Sequence, residues 1–152
     1  MQRGWLVIII LFVAALPGLA GGQCPTAAYV KALEQGKVKV VSSFLERDCP
    51  LDAKVKSGLT PLQIAAGDGH EALARFLIGK GADVNASDLL GLQPIHFAAA
   101  AGHWKVLKIL LRNGADTDAR DKNGSTALHH AALMNHRKAA AVLLAEGADI
   151  EA

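Results

Sequence analysis

The 152-residue chain has little of most things on which a chemical function is built. It carries two cysteines, one tyrosine and two tryptophans, and aromatic residues make up 5% of it. Two cysteines exclude a disulfide-dense miniprotein and a four-cysteine zinc site. Charge of one sign is scarce too: Lys+Arg 16 against Asp+Glu 14 leave +2. That balance does not suit a surface that holds polyphosphate by bulk charge, so no nucleic-acid partner is expected. No apolar run is long enough to cross a bilayer. The run Trp5–Leu16 rises only about 18 Å as a helix, against a hydrocarbon core of about 30 Å.

That run belongs to an address. Arg3 precedes it, Pro17 breaks it, and Gly18-Leu19-Ala20 supplies small residues before a cut after Ala20, with Gly22 as the alternative. Residues 1–20 have the layout of a secretory signal peptide, so residues 21–152 are expected to be exported. The alternative is an uncleaved anchor, which would make the protein a membrane-tethered scaffold. A lipoprotein signal fits less well, because Gly-Gly-Gln rather than a small-residue run stands directly before Cys24. Export gives the cysteines a meaning. In an oxidising compartment the pair Cys24 and Cys49 is expected to form a structural disulfide, and no Cys-x-x-Cys spacing suggests a redox-active one.

The rest of the chain repeats with a period of 33 residues. Residues 55–87 laid on 88–120 match at twelve positions, among them Gly58/Gly91, Pro61/Pro94, Gly69-His70/Gly102-His103 and Gly81-Ala82-Asp83/Gly114-Ala115-Asp116. A third copy spans 121–152, and a weaker one spans 22–54. Each unit reads as a turn, a short helix and a longer helix. Thr60-Pro61 is a helix start, Gly69 and Gly102 separate the helices in a left-handed conformation, and Asn135 stands in for them in the last copy. Val40-Val41 with Phe44-Leu45, Leu73-Ala74 with Leu77-Ile78, and Val106-Leu107 with Leu110-Leu111 form apolar stripes that neighbouring units must cover.

The segments GLTPLQIAAGDGHEALARFLIGKGADVNA, GLQPIHFAAAAGHWKVLKILLRNGADTDA and GSTALHHAALMNHRKAAAVLLAEGADIEA resemble ankyrin repeats. The resemblance covers residues 22–152. It implies an all-α solenoid of stacked helix-turn-helix units with β-hairpin-like fingers, and repeats at 22–54 (an N-terminal cap), 55–87, 88–120 and 121–152. Local departures are Gln63 for the motif histidine, Gln93 for its threonine and Ala127 for its proline. In the cap, an antiparallel helix pair would bring Cys24 near Cys49.

The six histidines suggest a metal site, and a His-dependent metal hydrolase around His129, His130 and His136 is the enzymatic alternative. Periodicity weighs against it. His70, His103 and His136 share one repeat position and His96 and His129 another, where the resemblance implies hydrogen bonds between loops and turns. Only His130 is left over, and one histidine does not make a zinc site. Gly67-x-Gly69-x-x-Ala72 matches a loose dinucleotide fingerprint, but it joins two helices and does not follow a strand. No catalytic residue, cofactor or metal is therefore expected. Asn85 and Asn123 sit in glycosylation sequons within the fingers, where a glycan would obstruct binding.

What remains is a surface. In the family, partner contacts come from finger tips and the inner face of the first helices. By position these are Lys56, Ser57 and Leu59; Leu89, Leu90 and Leu92; and Lys122, Asn123 and Ser125. The inner-helix positions are Gly67, Asp68, Ala100, Ala101, Leu133 and Met134. The residues expected to bind a partner are Leu59, Leu89, Leu90, Leu92, Ala101, Leu133 and Met134, as one apolar patch. Trp104 is either a convex-side contact or a lid over a repeat junction. The reading is a monomeric, periplasmic or secreted interaction module that binds or inhibits a partner protein through its concave face, with no membrane contact once the signal is removed. The resemblance to exported bacterial ankyrin proteins linked to catalase function implies a setting in oxidative-stress protection.

Overall fold

The computed structural model describes residue 24 and residues 27–55 and 58–151. The signal segment and the finger residues Lys56 and Ser57 lie outside the described residues. Eight helices follow in pairs: α1 (Ala27–Glu34) with α2 (Val38–Leu45), α3 (Pro61–Gly67) with α4 (Glu71–Gly79), α5 (Pro94–Ala100) with α6 (Trp104–Arg112), and α7 (Ala127–Leu133) with α8 (Arg137–Ala145). The first helices of successive pairs stack on one another as an inner layer, and the second helices stack as an outer layer. Among the described residues no helix is long and apolar enough to cross a membrane.

The same few interactions build each unit. Thr60 starts α3 with a reciprocal cap: Gln63 N–H donates to Thr60 Oγ1 (3.3 Å) and Thr60 N–H to Gln63 Oε1 (2.6 Å). This satisfies donors that a helix start leaves without partners. His96 and His129 do the work of Gln63 in later units, each accepting the backbone N–H three residues before it at Nδ1, at 3.0 and 3.2 Å. The last three outer helices end on glycine, whereas the first ends on Asp48, at φ +63°. Gly81 N–H reaches the Ile78 carbonyl and Ala82 N–H the Leu77 carbonyl, with φ +97° at Gly81, a pairing that closes the last turn.

Burial explains the alanine pairs. Ala65-Ala66 and Ala98-Ala99 are fully enclosed between the inner helices, beside Leu62 and Ile95, while Leu73, Leu77, Leu107 and Leu110 fill the space to the outer layer. Small residues let the short inner helices approach closely, and the larger side chains supply most of the buried apolar area. The repeats are also latched by their fingers. Asp52, Asn85 and Asp118 accept at Oδ1 from the N–H of Asp83, Asp116 and Asp149, one position of each repeat serving the next. Asn85 uses its other amide atom on the Gly114 carbonyl (3.1 Å).

The fingers are the one place where the expected form differs. They fold back like hairpins, but no strand forms among the described residues. In the finger at 88–92, the Asp88 carboxylate accepts from Leu90 and Leu92 N–H at 2.8 and 2.9 Å, and one backbone bond joins Asp88 N–H to the Leu92 carbonyl. A side chain thus closes the turn that a strand ladder would otherwise extend. Asp121 repeats this with Asn123 and Ser125. Neighbouring fingers touch through Lys122 N–H to the Leu90 carbonyl (2.9 Å). That approach requires glycine at 91, where a β-carbon would sit 3.2 Å from Lys122 N and φ is +77°.

In the cap, Cys24 and Cys49 are joined in a disulfide. Tyr29, Leu33 and Val41 form the enclosed centre between α1 and α2, and the Tyr29 and Phe44 rings meet edge-on at 5.2 Å. Burial, helped by the Asp52 charge, pushes the Tyr29 phenol up to about 12.

Candidate concave binding face

The expected contact residues fall into distinct groups. Leu89 and Leu90 stand at the tip of the 88–92 finger, 76% and 61% exposed. The two Asp88 bonds and the link to Lys122 hold this tip in one conformation, so two large apolar side chains are presented to solvent at little cost in ordering on binding. Leu133 (82% exposed) and Met134 (55%) end α7, at the far end of that helix from its finger. A seven-residue helix separates the two ends by about 10 Å. The leucines at the tip and the pair at 133–134 are therefore two apolar spots, where one continuous patch was expected. Ala101 is exposed at the end of α5, the same repeat position as Met134, and so belongs with the helix-end spot. Leu92 is half-buried, and its carbonyl accepts from Gln63 Nε2 (2.8 Å). Leu59 packs against the core.

Between tips and helix ends runs an open groove of about 1140 Å³. Val30, Leu59, Ile64 and Phe97 line it with apolar surface, and Glu34 and Asp68 are among its lining residues. Val30, Ile64 and Phe97 were absent from the sequence expectation. A signal was available: Ile64 and Phe97 occupy one repeat phase, 33 residues apart, where Lys31 and His130 stand in the flanking units. Gly67 lies against Phe97, where a β-carbon would make an ordinary contact at 3.8 Å.

The histidines hold the frame. His70 Nε2 donates to the Glu34 carbonyl (2.8 Å), and His96 Nε2 to the Ala119 carbonyl (3.0 Å). His96 accepts at Nδ1 and donates at Nε2, which requires the neutral ring. His130, the one outside the repeat phase, bonds Asp121 Oδ2 at 3.0 Å and sets its ring edge-on to His96 at 5.6 Å. Burial alone would raise the Asp121 pKa, but the N–H groups of Ser125 and Asn123 and the His130 ring outweigh it and hold the carboxyl below its usual range. Among the described residues no group of three or more His, Cys, Asp or Glu is placed to hold a metal.

Burial pushes the His96 pKa below its ordinary value. Below about pH 6.5 the unfolded chain then takes up a proton that the folded chain refuses. Stability contributed by neutral His96 is present above that pH, declines as pH falls and levels off at the lower folded pKa. Gln63 performs the same bonding without titrating, so His96→Gln should keep the fold and narrow the drop in melting temperature between neutral and mildly acidic buffer. An unchanged drop would assign the pH dependence to other groups.

Sequence comparison fits this architecture. A family model described as ankyrin repeats (3 copies) matches residues 11–88 and 87–152. A stretch of 59 residues, 39% of the chain, is 46% identical to human "Ankyrin repeat and KH domain-containing protein 1". A 60-residue stretch, 40% of the chain, is 45% identical to the Drosophila melanogaster protein "mask" of the same description. Each match spans 2% of the relative's length. A 62-residue stretch, 41% of the chain, is 34% identical to human "Protein phosphatase 1 regulatory subunit 27", of which it spans 40%. These relatives are eukaryotic.

Proposed function

Because the chain belongs to the ankyrin repeat family, whose members are protein–protein interaction modules, we propose that it is an exported module that binds and restrains a partner protein through its concave face. The observation that carries this reading is the rigid finger tip with Leu89 and Leu90 in solvent. A monomeric domain gains nothing in stability from two exposed leucines, whereas a partner that covers them gains apolar burial. The groove behind the tip offers Phe97 and Ile64 as a floor, with carboxylates nearby. These features suit an apolar segment with a basic flank. A relative named as a phosphatase regulatory subunit agrees with a module that acts by holding another protein.

Export rests on the layout of residues 1–20 and on the Cys24–Cys49 bond, since disulfides persist in oxidising compartments. A periplasmic location and protection against peroxide complete the reading; both draw on the resemblance to exported bacterial ankyrin proteins. The chain acts without catalysis, as a monomer, and without nucleic acid.

The test is affinity capture with the exported form. The processed chain should begin at Gly21 by intact mass and retain a stoichiometric protein partner. Leu89→Ser with Leu90→Ser should lose that partner while the helical spectrum stays unchanged. Leu92 is left intact because its backbone is tied to Gln63. Retention by the double variant would overturn the chosen face.

A further inference from the structure

The net charge of +2 conceals a strong segregation. In the N-terminal halves of the outer helices (38–42, 71–75, 104–108 and 137–141) stand Lys39, Arg75, Lys105, Lys108, Arg137 and Lys138, against a single acid, Glu71. Five of these cations are exposed and Lys108 is half-buried. Only Lys105 has a carboxylate in reach, with Glu71 Oε1 at 3.4 Å; among the described residues the others have no ion-pair partner. The segments that link or follow the helix pairs (49–60, 81–93, 114–126 and 147–151) carry the opposite sign, with eight acids against three bases among their described residues.

Trp104 lies at the centre of the basic side. It is half-buried at the start of α6, and the ammonium groups of Lys105 and Lys108 sit 5.8 and 5.4 Å from its ring centre. Behind it, Val106, Leu107, Ile109 and Leu110 face the core. The exposed side of α6 is therefore lysine and arginine stems around one indole, the arrangement that side chains adopt at a lipid headgroup layer.

We infer that the convex face of the outer helices docks on an anionic phospholipid surface, leaving the concave face free for its protein partner. A planar partner fits better than a flexible polyanion. A bilayer meets the convex side alone, and the inner-helix layer, about 10 Å thick, keeps the finger carboxylates of Asp88 and Asp121 roughly a Debye length away. A nucleic acid long enough to wrap the domain would run onto those carboxylates. Removal of the signal segment had pointed to no membrane contact; the segregation of charge over the folded domain supplies a different reason for one.

The full chain should be titrated with vesicles of phosphatidylcholine alone and of phosphatidylcholine mixed with phosphatidylglycerol. The apolar run Trp5–Leu16 and Arg3 contribute equally in parent and variant chains, so comparing the two on anionic vesicles isolates the convex-face lysines. Each lysine near an anionic surface strengthens binding about fivefold, so Lys105→Gln, Lys108→Gln and Lys138→Gln together should weaken binding to the anionic vesicles about a hundredfold. The corresponding Lys→Arg triple should retain it, as should Leu89→Ser with Leu90→Ser. Added salt should weaken it. Equal binding to both vesicle types, an unchanged glutamine triple, or tighter binding to a DNA duplex than to the anionic vesicles would overturn the inference.

Discussion

Replacing Cys24 and Cys49 by serine should lower stability by about 3.5 kcal/mol, because the bond removes the closure entropy of a loop from the unfolded chain. The two residues are 25 apart in sequence, and the segment they close contains the whole of α1 and α2. That first pair has the least support of its own. It lacks the Thr-Pro start of the next repeat, and its α2 buries only Val41. In a stack whose units contact mainly their neighbours, loss of the bond should show first as local fraying. Amide exchange should therefore speed up in α1 and α2 before α5 and α6. A midpoint of unfolding that ignores reductant would contradict the assigned role.

Gly102→Ala should be among the most damaging single methyls in the described residues, at about 3 kcal/mol. Two costs add. The residue sits at φ +75°, where an L side chain costs about 1–2 kcal/mol. Its β-carbon would also lie 2.6 Å from His136 Nδ1 and 2.7 Å from its Cγ, so the ring of the next repeat must leave its seat. Gly36 with His70 and Gly69 with His103 show the same contact, at 2.7 and 2.6 Å. Gly81 separates the two costs: its φ is +97°, yet nothing lies within 4 Å of a β-carbon there. Gly81→Ala should therefore pay only the backbone cost. Equal losses in the two variants would show that the glycine–histidine seat carries no energy.

This seat also explains how the sequence could be read. The period of 33 follows from contacts that recur once per unit, so glycine, histidine and the alanine pairs stand in phase. Asn135 was legible as a left-handed residue and has φ +57°. Phase accounts for all the histidines but His130. What phase does not encode is a contact between out-of-phase residues. His130 on Asp121 is such a contact, since its counterparts Ile64 and Phe97 are apolar and line the groove. Exposure was equally hard to read. Leu59, Leu89, Leu90 and Leu92 look alike as letters, but Leu59 meets the core while Asp88 and Lys122 hold the tip of 89 and 90 outward. The charge segregation was present in the sequence but hidden by summing over the whole chain.

The central claim is that the tip formed by Leu89 and Leu90 anchors a protein partner on the concave face. Calorimetric titration of the captured partner tests it most directly. The wild-type chain should saturate at one partner per domain. The Leu89→Ser, Leu90→Ser form should bind about thirtyfold more weakly, the equivalent of roughly 2 kcal/mol of lost apolar burial. Equal affinities for the two forms would contradict it.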